Sequence, residues 1–328
     1  MKKFLNTTDT LLAESLDGFA AAHADLVILG EERKFVRRRT LKPGKVGLIS
    51  GGGSGHEPLH AGFVGMGMLD AACPGQVFTA PTPDQIAEAA AAVDTGAGVL
   101  FIVKNYEGDV MNFDMGREMS GATVAMIVTD DDVAVETSTY STGRRGVAGT
   151  MIVEKIVGAA AEQGADLATL QALGTRVNAA TKSMGVALTS CTVPAIGRPM
   201  FSIGEDEIEI GVGIHGEPGR RREKLQSADA LADEMVGAIL TDFAAPPGDV
   251  LLLLNGFGAT PAMELYLMYH AARRVLEGHG VRVARSLVGN YVTSLDMAGC
   301  SITVTALDDE LARLWDAPVH TAGLRWGV

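Results

Sequence analysis

Aromatic residues are scarce, 5% of the 328 residues, and the three cysteines, Cys73, Cys191 and Cys300, stand far apart and are odd in number. That pattern fits reduced, buried thiols and argues against a disulfide framework or a cysteine-based zinc site. Positive charge is also in deficit. The 27 Lys and Arg face 40 Asp and Glu, and the net charge of −13 argues against nucleic acid or an anionic membrane surface as partner. No apolar run approaches the length of a bilayer span, and the N-terminal MKKFLNTTDT lacks the long apolar segment of a secretion signal. A cytosolic protein is expected, with no internal repeat and no low-complexity tail.

Glycine and alanine are abundant instead, with 40 glycines, as suits tightly packed α/β layers. A chain this long should bury roughly three quarters of its unfolded surface, so two domains are expected. The organising stretch is VGLISGGGSGHEPLH, Val46 to His60. A β-branched run, Val46 to Ile49, reads as a buried strand that ends in a bare loop at Ser50 and three glycines. With no Cβ at Gly51, Gly52, Gly53 and Gly55, backbone N–H groups there can approach a small ligand. His56, Glu57 and His60 follow.

Three motif readings compete for this stretch. A Walker loop needs Lys and Ser or Thr after its last glycine, and His56 and Glu57 stand there instead. HEPLH matches the HExxH zinc pattern literally, but Pro58 confines any helix to its first turn there, leaving His56 at a cap and no third ligand at the usual spacing. GGSGH misses the nucleophile-elbow pattern because His56 replaces the final glycine. The plainest alternative is a tight strand-to-helix turn.

Downstream, strand-like and helix-like segments alternate. After HEPLH the pattern predicts a small helix, a strand at 77–79, a helix through DQIAEAAAAV, a strand at 98–103, a helix at 110–119 and a strand at 124–128. This alternation predicts a mostly parallel sheet covered by helices, with ligands at the loops after the strands. Gly53, Ser54, His56, Ala80, Lys104, Asp109 and Asp130 all follow predicted strands. A glycine cradle, an imidazole, an ammonium and a carboxylate are the parts needed to hold and deprotonate a small polyhydroxylated molecule. Taken singly, Lys104 and Asp109 are each nearer to an ordinary surface ion pair.

TSTYSTGRRGVAGT, residues 137–150, reads as an exposed loop with Arg144 and Arg145 as a basic patch. Helices are predicted at about 148–163 and 166–183. A composition shift near 186–206 divides an N-terminal α/β domain, 1–186, from a smaller α/β layered domain, 187–328. There the strand Glu207 to Ile214 delivers His215. GVGIHG satisfies GxGxxG through Gly211, Gly213 and Gly216, but Glu217-Pro218-Gly219 opens a loop where a dinucleotide fingerprint needs a helix. His23, His270, His279 and His320 stand alone.

ISGGGSGHEPLHAGFVG, FTAPTPDQI, VKNYEGDVMNF, GRRGVAGT, SCTVPAIG, GVGIHGEPG, LLLNGFGATP and LWDAPVHT together resemble the substrate-binding K subunit of dihydroxyacetone kinase, from near the N-terminus almost to the last residue. The resemblance implies that His215 bonds covalently to the ketone carbon of dihydroxyacetone as a hemiaminal. It implies further that Asp109 accepts the proton of the hydroxyl to be phosphorylated, that His56 assists, and that Gly53, Ser54, Gly55, His56 and Lys104 hold the remaining oxygens. It implies a cytoplasmic homodimer that binds no cofactor of its own and is inactive without a separate L-type subunit carrying Mg²⁺ with ADP or ATP. The charged loops at 142–146 and 219–224 are expected docking sites for that partner. Ala80 departs from the serine of the family's FTSPTPDQ, which opens erythrulose as a substrate. A non-catalytic ketose sensor is the other alternative.

Overall fold

The computed structural model of the chain describes residues 2–328. Helix α1 (Leu11–Ala22) turns Leu16 inward and leads to the antiparallel pair β1 (Val27–Leu29) and β2 (Val36–Arg38). The chain continues through β3 (Gly47–Ser54), β4 (Gly65–Met66), β5 (Ala71–Val77), α2 (Pro83–Val93), β6 (Val99–Lys104), α3 (Glu107–Ser120) and β7 (Val124–Thr129). The first sheet has the order β1-β2-β5-β3-β6-β7, and its last four strands run parallel as the sequence pattern predicts. From β3 the chain steps outward to β5, then crosses back to β6. The order therefore reverses between β3 and β6, where a crevice opens at the carboxyl ends of the strands.

The glycine segment differs from expectation. Instead of a bare loop after Ile49, β3 runs on through Ser54, buried along its whole length. A Cβ on Gly51 would lie 2.6 Å from the Cys73 carbonyl oxygen, and one on Gly53 2.6 Å from the Phe78 Cα. These glycines serve close packing in an extended strand, and only Gly55, at φ 107°, uses the left-handed freedom of glycine. The strand expected at 77–79 lies earlier, in β5. The helix expected after HEPLH shrinks to a single 3-10 turn, Ala61–Phe63.

Helices α4 (Gly149–Glu162) and α5 (Leu167–Ala179) lead into the second half. The helix expected to reach residue 183 stops at Ala179, because Thr181–Ala187 is a strand, β8. Tertiary pairing overrides the local pattern here. β8 pairs along its length with β13 (Gly299–Leu307), and the Thr181 and Ser183 hydroxyls bond those of Thr305 and Thr303. With β9 (Glu207–Ile210), β10 (Arg221–Lys224), β11 (Asp249–Gly256) and β12 (Arg282–Gly289) the second sheet has the order β10-β9-β8-β13-β11-β12, mostly antiparallel. Its helices are α6 (Ala228–Thr241), α7 (Ala262–Gly278) and α8 (Asp309–Asp316). Near the C-terminus, β14 (Val319–Thr321) returns to pair with β4 and with β15 (Arg325–Trp326).

α4 is the pivot of the molecule. Every residue from Gly149 to Ala161 is buried, and the helix touches β6 of the first sheet and β8 of the second. Its circumference is apolar and small apart from Glu154 and Lys155, two charged side chains buried with the rest. No helix among the described residues is long and apolar enough to cross a membrane.

Candidate active site at the meeting of the two sheets

The carboxyl ends of the parallel strands border a cavity of about 480 Å³. Gly53 comes from β3, Phe78, Thr79 and Ala80 from the segment after β5, and Tyr106 through Asp109 from the β6–α3 junction. His215, delivered by the turn after β9, closes the cavity from the second half of the chain.

The turn around His215 explains why its glycines are there. Gly211 takes φ 81° and Gly216 φ 78°, conformations open to glycine at little cost, and the turn is followed by β10 rather than a helix. It folds so that the Glu217 carboxylate accepts from the backbone N–H of His215 at 2.9 Å and meets its ring Nδ1 at 2.8 Å. A neutral imidazole then carries its proton on Nδ1 and leaves the Nε2 lone pair free. Burial by itself would raise the Glu217 carboxyl, but His215 and Arg145 outweigh it and hold the group down at about 2.

Arg145 corrects an expectation. Placed by the sequence on an exposed loop as a docking residue, it is fully buried, donating to Asp132 at 2.8 Å and to the Gly211 carbonyl at 2.7 Å. The guanidinium satisfies the turn that carries His215, and a buried cation needs partners of this kind. Arg144 stays nearer the surface, in a two-pronged pair with Asp242 at 2.6 and 2.5 Å.

His56 is buried, with Nδ1 2.7 Å from the Thr293 carbonyl, which can only accept; the proton therefore sits on Nδ1. Its Nε2 has no partner in the protein. The ring stacks on Phe78 at 4.9 Å and 16°, and meets the ring of His215 edge-on at 4.7 Å. Burial, followed by the charges of His215 and Lys104, pushes its pKa well below the usual imidazole value, so it stays a neutral acceptor beside His215.

Asp109 lies in the first turn of α3, buried, with Oδ1 unpartnered. Burial raises its carboxyl pKa, and Lys104 and His215 work against that rise. The Tyr106 ring stands edge-on to His215 at 4.7 Å, and its hydroxyl also has no partner. Burial, reinforced by Glu217, keeps that phenol protonated.

The other candidates are placed differently. Ser54 donates to the Gly75 carbonyl at 2.7 Å and the Gly55 N–H is taken by the Glu57 carboxylate at 3.0 Å, so of the glycine segment only Gly53 lines this cavity. Lys104 is fully buried behind the cavity wall, its ammonium 3.3 Å from the Gly51 carbonyl and 2.8 Å from His60 Nε2. Asp130 is elsewhere, hydrogen-bonded to Asn178 at 2.7 Å. The two histidines of HEPLH diverge, His56 toward His215 and His60 toward Glu154. Among the described residues no group of three or more His, Cys, Asp or Glu is placed to hold a metal ion.

Sequence reasoning missed Glu217, Tyr106, Phe78 and Arg145 as parts of the site. Glu217, two residues after His215 across a glycine turn, was the one with a readable signal.

A cavity lined by a carboxylate-bound imidazole and by Tyr106 and Asp109, each with an unpartnered polar atom, suits a small polar molecule. The Dak1 domain matches residues 17–323. The "PTS-dependent dihydroxyacetone kinase 1, dihydroxyacetone-binding subunit DhaK" of Listeria innocua is 54% identical, the match covering 94% of this chain and 95% of that one. The corresponding PEP-dependent subunit of Escherichia coli is 46% identical with 100% of each covered. A D-erythrulose kinase of Mycolicibacterium smegmatis is 40% identical over 100% of this chain and 57% of its own. Among solved structures, the "Dihydroxyacetone kinase operon co-activator Dha-DhaQ" matches with a TM-score of 0.87 at 35% identity, covering 94% of this chain and 96% of that one. The dihydroxyacetone kinase of C. freundii matches at 0.88 and 32%, covering 99% and 60%.

Proposed function

Since the chain belongs to the Dak1 domain family, we propose that it binds dihydroxyacetone, or a similar short ketose, covalently through His215 and presents it for phosphorylation by a separate L-type subunit. The observation that carries this reading is the His215 imidazole, its Nδ1 on the Glu217 carboxylate, standing over a cavity lined by Asp109 with its unpartnered Oδ1, and with the His56 ring, its Nε2 also unpartnered, packed edge-on against it.

The chemistry follows from those partners. His215 Nε2 adds to the ketone carbon, the carbonyl electron pair moves to oxygen, and the imidazole becomes cationic, with its Nδ1–H held by Glu217. In net terms the Nδ1 proton ends on the alkoxide oxygen, giving a neutral hemiaminal, and the Tyr106 phenol donates a hydrogen bond to that oxygen while keeping its own proton. Glycerol has a similar shape but no carbonyl to attack, so it is rejected by chemistry rather than by size. Asp109 takes the proton of the terminal hydroxyl as it attacks the phosphoryl group, and His56 accepts a hydrogen bond from a substrate oxygen. Mg²⁺ with ADP or ATP belongs to the L-type partner, which supplies the phosphoryl group.

Ala80 lines the same cavity, and it favours a second substrate, erythrulose, by removing a hydroxyl from the wall. A ketose sensor would need His215 but not Asp109.

Intact-mass measurement tests the reading. The chain mixed with dihydroxyacetone should gain the mass of one ketose, and His215→Ala should abolish the gain. An unchanged mass for the native chain, or ATP-dependent turnover by the chain without a partner, would overturn the proposal.

A further inference from the structure

The second histidine of HEPLH has no part in the chemistry above, yet it is the middle of a buried chain of titratable groups. His60 Nε2 is 2.8 Å from Lys104 Nζ, and His60 Nδ1 is 2.6 Å from Glu154 Oε1. Lys104 and Glu154 are fully buried and His60 is 6% exposed, its side bordering a separate cavity of about 370 Å³. Packing leaves the ammonium no room to retreat. A side chain on Gly52 would run into Lys104 Nζ, and the Gly51 carbonyl lies 3.3 Å from it.

Such a chain has two proton arrangements that satisfy both contacts. In one, the Lys104 ammonium donates to His60 Nε2, and Nδ1–H donates to the Glu154 carboxylate. In the other, the Glu154 carboxylic acid donates to Nδ1, and Nε2–H donates to the neutral Lys104 amine. The two contain the same number of protons. Moving one proton from Glu154 to Nδ1 and another from Nε2 to Lys104 converts the second into the first, with no exchange with solvent. Burial works against both charges: it raises the Glu154 carboxyl to about 8 and lowers Lys104, so the neutral arrangement competes with the ion pair.

Lys104 connects this chain to the site. The groups whose charge acts on it are Asp109 from α3 and Glu154 from α4, while His56 and His60 feel its own charge. Those acting on Asp109 are Lys104 and His215, and Asp109 in turn acts on the Tyr106 phenol. Besides Lys104, Ser50 bears on Glu154, which also meets His60 Nδ1.

We propose that His60 and Glu154 are positioning residues: through the imidazole they give a proton to Lys104 and take one back, so that Lys104 and Glu154 are charged together or neutral together. An uncharged ketose then meets a site with little net charge at Lys104. An arriving phosphoryl group, being anionic, draws the proton through His60 and finds a cation beside Asp109. This rests on the phosphorylation reading above, but its test does not need substrate or partner.

In the native chain, nitrogen-15 resonances of the His60 ring and Lys104 are followed with pH. A Lys104 ammonium should always accompany the Nδ1–H tautomer of His60. An ammonium beside the Nε2–H tautomer, or a doubly protonated His60, would overturn the proposal. In Glu154→Gln the Asp109 carboxyl, followed by carbon-13, should titrate at least half a pH unit higher, roughly a threefold gain in proton affinity. That rise should vanish when Lys104→Met is already present. No rise, or a rise that persists without Lys104, means that Glu154 acts on packing alone and sinks the idea. Should Glu154→Gln fail to fold, the native tautomer measurement decides by itself. Adduct mass at His215 reports separately on the ketose reading.

Discussion

Two imidazoles meet with centroids 4.7 Å apart, and opposite partners suit them to opposite work. His215, on the turn after β9, gives its Nδ1 to a carboxylate that is buried and ionised. A positive charge appearing on that ring is welcomed. His56, after β3, gives its Nδ1 to a backbone carbonyl and is otherwise packed against Phe78. A positive charge there is repelled by His215 and Lys104 and penalised by burial. The lesson is that the partner on the far nitrogen, rather than the imidazole itself, separates a nucleophile from an acceptor.

That contrast can be broken most severely at Glu217. In Glu217→Gln the hydrogen bond to Nδ1 survives but the charge is gone, and adduct formation by stopped mass sampling should slow by about 10²-fold or more. A slowing of less than threefold would show that the carboxylate does not matter to His215. The same pair predicts a pH effect on folding. The Glu217 carboxyl sits at about 2 in the folded chain against an ordinary value of 4.5, so its stabilisation is complete above pH 4.5 and is lost as pH falls toward 2. By linkage it amounts to at most about 3 kcal/mol. Denaturant melts of the native chain and Glu217→Gln should therefore converge across that window, and curves that stay parallel would rule the effect out.

Changes on the His56 side should be milder. His56→Asn removes an acceptor but no nucleophile, so the ketose adduct should still form, with its equilibrium weakened about tenfold, the scale of one hydrogen bond. Complete loss of the adduct would mean that the two rings share the covalent role. The smallest effect belongs to Ala80. Ala80→Ser restores a hydroxyl to the wall and should shift the preference between dihydroxyacetone and erythrulose by roughly two- to tenfold. Competition mass spectrometry reads that ratio, and an unchanged ratio would separate Ala80 from substrate choice.

Much of the scaffold was legible because it depends on local rules. The βα alternation and the parallel sheet followed from hydrophobic runs and breakers, whereas β9 stops at Ile210, short of the expected Ile214, and leaves His215 on a glycine turn. β8 was not legible. TKSMGVA sits behind a strong helical run, and what makes it a strand is a partner more than a hundred residues away. Arg145 reads as a loop cation until the folded turn brings it Asp132 and the Gly211 carbonyl. His60 and Glu154 are 94 positions apart, and their 2.6 Å contact has no trace in spacing.

Residue types and their order along the chain determined by themselves which groups exist for chemistry: glycines to thin one strand, histidines at two strand ends, and a carboxylate opening a helix. Only the tertiary structure decided their states. It set the carboxylate against one ring and the carbonyl against the other, and it drew Lys104 back from the cavity to His60. The reason is that a proton's position depends on distance and on exclusion of water, both of which arise only when segments remote in the chain are packed together.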